Sequence, residues 1–217
     1  MAAAVSTLYK IEVQDGARPL DLFREWFNDA KEEFGEFHAS VMNIATVSKD
    51  GTVSNRSVVM KKLTDDGFMF NTTRNSRKHE DIQTHPQVSL CFFWVTTING
   101  QKHTKQVRIE GVAKEMPMEF TRASFRTWSM RTKVRYGFSK QGNEIDWDEL
   151  KKRHDEYVKH LSDAKEDSID MPAEVVYYTV IPHRVEYYGS KMDPITIGDR
   201  VLFRLSDNVW NFVHIEA

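Results

Sequence analysis

Cysteine is nearly missing from this chain. Cys91 is the only one in 217 residues, which excludes an internal disulfide framework and fits a reducing compartment. It lies in the apolar run VSLCFFWV, where a small buried hydrophobe is the expected role rather than a nucleophile. No apolar run approaches the ~20 residues that a membrane-spanning helix needs. The opening MAAAVSTLYK has no charged segment followed by an apolar one, so no secretory signal is read there. A soluble, cytoplasmic protein is the expectation. Charge of one sign is also absent: 30 Lys and Arg face 32 Asp and Glu, a formal net charge of −2. That removes any global pull toward nucleic acid or an anionic membrane, so an anion site has to be local. Metal-site spacings, P-loop, GxGxxG and GxSxG motifs are all missing. His79 and His85 lie close in sequence but without a third ligand, and read as surface residues. No carboxylate pair stands out for acid/base work, so no catalytic residue is named.

What remains is an ordinary globular composition, 40% hydrophobic and 29% charged. One domain over residues 1–217 is expected, with 1–17 as a flexible N-terminal segment. Residues 18–34 carry Leu20, Leu22, Phe23, Trp26, Phe27, Ala30 and Phe34 at helical spacing, which predicts an amphipathic helix with a core-facing aromatic stripe. SVMNIATVS and TVSNRSVVMKKL flank Lys49-Asp50-Gly51 and read as a hairpin. Asp65-Asp66-Gly67 then leads into FMFNT, so three successive strands predict an antiparallel meander. VSLCFFWV reads as a strand buried on both faces. TTINGQKHTK reads as a polar loop with Asn99-Gly100 at its tip, and QVRIEGVAKEM as the returning strand. A helix is expected over 118–132 and another over 147–163, with a polar linker at 164–172. Two strands are expected around Pro182, then a final hairpin through Ser206-Asp207-Asn208. The fold class is mainly β with flanking helices (α+β), an antiparallel sheet closed or nearly closed into a barrel.

The stretch NRSVVMKKLTDDGFMFNTTRNSRK, residues 55–78, is the most informative. Arg56 with Lys61 and Lys62, then Arg77 with Lys78, flank a turn and a short strand, so adjacent strands bring both clusters to one end of the sheet. Arg and Lys converging on a rigid sheet suit a phosphorylated ligand. Ser76 is the expected N-cap of a short helix that begins with Arg77 and Lys78, and free helix-start amides favour an anion there. The plain alternative is a solvated face of two strands.

R-S-V-V-M-K, G-F-M-F-N-T, N-S-R-K and Q-V-R-I-E-G, in that order, resemble the pyridoxine/pyridoxamine 5′-phosphate oxidase family, and the agreement runs from about Pro19 to Ala217. The resemblance implies an FMN-binding split β-barrel. It also implies a homodimer with FMN in the groove between subunits, and oxidation of pyridoxine or pyridoxamine 5′-phosphate to pyridoxal 5′-phosphate with oxygen as acceptor. It implies flavin contacts at Arg56, Ser57, Val58, Val59, Asn71, Thr72, Arg77, Lys78, Gln106, Gln141, Tyr188 and Arg200. Gly142 stands where the family has serine, and Tyr188 where it has tryptophan. Lys61 matches a lysine that meets the substrate phosphate.

The substrate side departs from the family. Ser124, Trp128 and Thr132 fall where the family carries tyrosine, arginine and serine, so Thr132 alone keeps a hydroxyl for the substrate. Arg126 and Arg131 lie near enough for a register shift to restore a cation. The family's R-L-H is replaced by MDPITIGDR, two residues longer, and its closing R-L-x-P by HIEA. A hydrogen bond to a charged group contributes roughly 1.5–3 kcal/mol. Two lost phosphate contacts therefore cost about 3–6 kcal/mol, or roughly two to four decades of affinity. Flavin binding is thus expected to be better preserved than oxidation of the vitamin B6 phosphate. Two other readings stay open: a catalytically impaired paralogue that binds FMN or pyridoxal phosphate as carrier, sensor or dimer partner, and a split-barrel protein for another ligand such as haem or deazaflavin.

Overall fold

The structure is a computed structural model that describes residues 8–138, 141–162 and 169–217. Its first helix, α1 (Pro19–Ala39), starts where proline fixes the entering backbone and Asp21 sits in the first turn. The aromatic stripe faces inward as expected. Phe23 is fully buried, with its ring 4.8 Å from Phe68 and 4.9 Å from Phe92. The buried Tyr187 hydroxyl donates to the Pro19 carbonyl at 2.6 Å and ties the helix start to the sheet. The stripe ends before Phe34, which is partly exposed, because Gly35 breaks the helix with a left-handed φ of 75°.

The strands are β1 (Val41–Val47), β2 (Val53–Val59), β3 (Lys62–Leu63), β4 (Phe68–Thr73), β5 (Gln87–Ile98), β6 (Gln101–Glu115), β7 (Val175–Lys191), β8 (Asp199–Ser206) and β9 (Val209–Ile215). Between them lie α2 (Arg77–Thr84), α3 (Met118–Arg126), α4 (Met130–Phe138) and α5 (Trp147–Ser162). All strand pairs are antiparallel, in the order β2-β1-β5-β6-β7-β4-β3, with β8 on β7 and β9 on β8. The sheet curls until β2 and β4 approach, yet no ladder joins them. The barrel is split along that line. The chain bridges the split only beyond the strand end, where Lys61 N–H donates to the Met69 carbonyl at 2.7 Å.

Several expectations are corrected by tertiary pairing. The meander holds only in part: Lys62 and Leu63, at the end of the second run, pair with β4 across the Asp65-Asp66-Gly67 turn, but β2 itself does not, and along its length β4 pairs with β7, about a hundred residues later. The strand VSLCFFWV has one buried face: Val88, Leu90, Phe92 and Trp94 point inward, while Phe93 is 60% exposed and Cys91 is half-buried. The polar loop is mostly strand. β5 and β6 run paired to a two-residue turn in which Asn99 and Gly100 both have positive φ. One long strand, β7, replaces the two strands expected around Pro182. Proline is accommodated because the register shifts at Glu110/Gly111, opposite it. There a Cβ on Gly111 would stand 2.5 Å from the Ile181 carbonyl.

The stretch expected as one helix over 118–132 is two, α3 and α4, broken at Thr127. In α5, Trp147 and Val158 are exposed rather than core. The N-terminal segment expected to be flexible is tied down from Leu8: Leu8 bridges Ile197, and the buried Ile11 N–H donates to Asp199 at 2.8 Å. Residues 1–7 and the 164–168 part of the expected linker lie outside the described residues. No described helix is long and apolar enough to cross a membrane.

Phe23→Ala is expected to lower unfolding stability by about 3–5 kcal/mol. Phe34→Ala, beyond the buried stripe, is expected to change it by no more than about 0.5 kcal/mol. Urea unfolding monitored by circular dichroism measures both, and equal losses would refute the stripe as the organiser of the core.

Candidate anion site at the barrel split

The split between β2 and β4 opens into a cavity of about 690 Å³. Arg56, Lys61, Lys78, Arg131 and Arg135 line it, and among the described residues no carboxylate does. Ser57, Val58 and Val59 come from β2, an edge strand whose second side has no ladder partner. Asn71, Thr72 and Thr73 come from β4, and Phe37, Thr132, Tyr136 and Gln141 complete the wall.

Arg56 is held from below. Its Nη1 donates to Thr46 Oγ1 at 2.6 Å and to the Ile44 carbonyl at 3.3 Å, and Nη2 is 3.7 Å from the Asp81 carboxylate. Asp81 is buried, reaches up from α2, and accepts from Thr46 Oγ1 at 2.5 Å. Arg56 is therefore both oriented and charge-matched.

Lys78 is held differently. It is only 8% exposed, and its Nζ donates to Thr72 Oγ1 at 3.2 Å and Gln141 Oε1 at 3.1 Å. Neither partner is charged. Burial, and then the Arg56 charge, push its pKa below the ordinary 10.5. Ser76 does not cap α2 with its side chain, contrary to expectation. Its hydroxyl donates to the Thr73 carbonyl at 2.7 Å and contacts Thr72 Oγ1 at 3.0 Å. Since Ser76 has spent its proton, Thr72 donates to Ser76 and offers its lone pairs to Lys78. The hydroxyl pair thus positions the ammonium and leaves the helix-start amides uncapped. Asn71 is 7% exposed, and its Nδ2 has no hydrogen-bond partner. A buried free donor on a cavity wall suits a ligand acceptor.

Two basic residues after Ser76 were expected to face one point, and they do not. Lys78 is buried in the cavity wall, whereas Arg77 is exposed and off the lining. Arg77 contributes at a distance, since its charge is felt at Arg56.

Along the helices, Thr132 and Arg131 line the cavity and Arg126 does not. Trp128 is not a lost ligand but a structural pin, its Nε1 donating to the Tyr177 hydroxyl at 2.9 Å. Arg135, Tyr136 and Phe37 were missed in the sequence. The spacing of Arg131, Thr132 and Arg135 on one helix turn was the available signal. Lys61 has its pKa lowered by burial and by Arg135.

Gln106, Tyr188 and Arg200 do not line this cavity. They pair in one row across β6, β7 and β8. Arg200 lies over the Tyr188 ring, 5.4 Å from its centroid, and Nη1 donates to Glu186 at 2.8 Å. Its buried Nε has no partner. Ser139 and Lys140, next to Gln141, lie outside the described residues.

Comparisons with known proteins bear on the family and the fold. Residues 29–165 match the family model described as pyridoxamine 5′-phosphate oxidase. A relative from Leptospira biflexa, named pyridoxine/pyridoxamine 5′-phosphate oxidase, is 32% identical over 196 residues, covering 90% of this chain and 87% of that protein. Another of that name, from Salinibacter ruber, is 32% identical over 190 residues, covering 87% and 83%. Among solved structures, PhzG from Burkholderia lata 383, in complex with tetrahydrophenazine-1-carboxylic acid, has a TM-score of 0.77 at 20% identity and covers 92% of each chain. A pyridoxamine 5′-phosphate oxidase-related, FMN binding protein from Nostoc punctiforme has a TM-score of 0.70 at 16% identity, covering 93% of this chain and 99% of that one. These two likenesses are of fold, the split barrel.

A buried lysine with a lowered pKa makes stability depend on pH. Its penalty acts when the ammonium is protonated, so stability rises as pH climbs through the lowered pKa toward 10.5. With no anion added, Lys78→Met is expected to be more stable than the parent at neutral pH, and the gap is expected to narrow as pH approaches 10.5. Urea midpoints across that range measure it. A gap that widens with pH would contradict the uncompensated ammonium.

Proposed function

Because the chain belongs to the pyridoxine/pyridoxamine 5′-phosphate oxidase family, we propose that it is an FMN-dependent oxidoreductase. The proposed reaction is oxidation of pyridoxine or pyridoxamine 5′-phosphate to pyridoxal 5′-phosphate, with oxygen as acceptor. The observation that carries the flavin part is Lys78, a buried ammonium on the wall of a cavity that, among the described residues, has no carboxylate. A phosphate supplies the missing negative charge. The unpartnered Asn71 Nδ2 and the exposed backbone edge of β2 fit the acceptors and donors of a flavin ring. When bound, FMN supplies a two-electron acceptor that oxygen can regenerate.

In this reading Arg56 and Lys78 hold the nucleotide phosphate, with Arg77 adding charge from outside. Ser57, Val58 and Val59 offer backbone groups, and Asn71, Thr72 and Gln141 offer side chains. Lys61 and the Thr132 hydroxyl meet the substrate phosphate. Gln106, Tyr188 and Arg200 sit on a different part of the sheet, which supports a homodimer in which a second copy completes each site. The half-exposed Cys91 and the exposed Phe93 lie on that same outer face.

One observation favours the second reading, an impaired paralogue acting as carrier, sensor or partner. The segment that replaces R-L-H is folded on itself. Asp193 accepts from Ile195 N–H at 3.0 Å, Thr196 N–H at 2.8 Å and the Thr196 hydroxyl at 2.6 Å. It brings no cation or imidazole to the cavity, and the reacting carbon loses that means of positioning.

Lys78→Met is expected to weaken FMN binding by about 1.5–3 kcal/mol, roughly one to two decades, in a flavin fluorescence titration. Arg77→Ala is expected to cost less, because that side chain is off the cavity wall. Unchanged FMN affinity in Lys78→Met would refute the phosphate-grip assignment. Hydrogen peroxide release from the flavin-loaded protein on adding pyridoxamine 5′-phosphate is the expected sign of the oxidase. Tight flavin with no peroxide selects the carrier reading.

A further inference from the structure

Phe37 lines the barrel-split cavity and is nevertheless 65% exposed, the one large exposed hydrophobe among the described residues of that wall. An apolar ring left open on a cavity wall forgoes the gain of burial until a ligand covers it. Among the described residues its only ring contact is with His38, edge-on, with centroids 5.4 Å apart.

A break in α1 puts it there. Phe37 follows Ala30 by seven residues and Phe34 by three, so an unbroken helix would keep it in line with the buried stripe. Gly35 prevents this with φ 75° and ψ 158°, inside an otherwise helical run. A Cβ at Gly35 would meet nothing within 4 Å, so the position needs glycine for its backbone angles and not for space. The turn beyond the break is then fastened to the barrel. Ser40 N–H and Ser40 Oγ both donate to the Glu36 carbonyl, at 3.0 and 2.6 Å. The buried Trp94 Nε1 donates to the Ala39 carbonyl at 3.1 Å, and Met60 N–H donates to the Ser40 carbonyl at 2.8 Å. Phe37 is thereby carried on an anchored turn, beside the rim where β2 gives way to Met60 and Lys61.

We propose that Phe37 packs against the flat ring of the substrate and sets the affinity for that ring independently of the phosphate it carries. Its rim is that of Lys61, assigned above to the substrate phosphate, whereas Lys78 is anchored to Thr72 and Gln141. Aromatic side chains pair with flat rings through apolar area and through offset or edge-to-face geometry, neither of which a cation or hydroxyl supplies. The segment folded on Asp193 brings no such group to the cavity. The identity of the ring rests on the oxidase reading above; the ring contact does not.

The test uses the full flavin-loaded chain and Phe37→Ala. Equilibrium dialysis measures pyridoxal 5′-phosphate and pyridoxal, fluorescence titration measures FMN, and urea unfolding checks the fold. Both pyridoxal compounds are expected to bind about tenfold more weakly, with FMN affinity and the urea midpoint unchanged. Phe37→Trp, which keeps an aromatic surface, is expected to keep both affinities. Four results would overturn the proposal: unchanged affinity for pyridoxal 5′-phosphate, a loss for it without one for pyridoxal, a parallel loss for FMN, or a lowered urea midpoint. If the parent binds neither pyridoxal compound, the oxidase reading fails, and calorimetry with phenyl phosphate and methyl phosphate reads the ring contact alone. Phenyl phosphate is expected to bind the parent about tenfold more tightly than methyl phosphate, and Phe37→Ala is expected to remove that advantage. No advantage in the parent, or one that survives the substitution, overturns the ring contact.

Discussion

The missing ladder between β2 and β4 is the constraint on which the site depends. A closed barrel would pair those strands and spend their backbone groups on each other. Here β2 ends the sheet, so its outer N–H and C=O groups face a cavity. Lys61 N–H and Met69 carbonyl close the chain just beyond the gap, so the opening is bounded rather than frayed. Arg56 and Lys61 leave from one rim and Asn71 to Thr73 from the other. Side chains carried on paired strands and a docked helix cost less to order around a ligand than side chains on loops.

Charge pairing elsewhere in the protein makes the exception meaningful. Lys105 is buried, and it meets Asp29 while lying over Trp26. Arg184 meets Glu110, Arg200 meets Glu186, and Arg74 meets Glu115. Of these cations Lys105 alone is buried, and its carboxylate offsets the loss of solvent. Lys78 has hydroxyl and amide partners instead. Its partners are dipoles, and the Arg56 charge acts on it with the same sign. A structural role would favour replacing it with an apolar residue. A binding role accounts for a cation there.

How much of this was legible follows from how local each signal is. The hairpins at Gly51, Asn99-Gly100 and Asp207-Asn208 were readable because residues that tolerate positive φ mark tight turns. The helix stripe through Phe23 and Trp26 was readable from its period. The partner of β4 was not, because nothing in FMFNT points to a strand a hundred residues away. Nor was the break at Thr127, which no glycine or proline announces; the bond from Trp128 to Tyr177 decides it. Arg56, Lys61, Asn71, Thr72, Lys78 and Gln141 converge as their motifs suggested. Arg135, Tyr136 and Phe37 join them only because α4 and the end of α1 are aimed by tertiary contacts.

The row of Gln106, Tyr188 and Arg200 carries the last step. Its middle member, Tyr188, lies eleven residues along β7 from Tyr177, which pairs with Asn71 on the cavity rim, roughly 36 Å at about 3.3 Å per residue. On a stiff sheet such a distance does not close by side-chain rotation. Yet Arg200 keeps a buried, unpartnered Nε and lies over the Tyr188 ring, features of a wall prepared for a ligand rather than for water. Two incomplete walls on one rigid body, each with an unsatisfied buried donor, are reconciled if the second wall serves the cavity of another copy. A two-fold dimer does this with one interface, because the same patch on each chain repays the other. The exposed Phe93, paired in register with Gln106, then becomes part of the surface that such an interface covers.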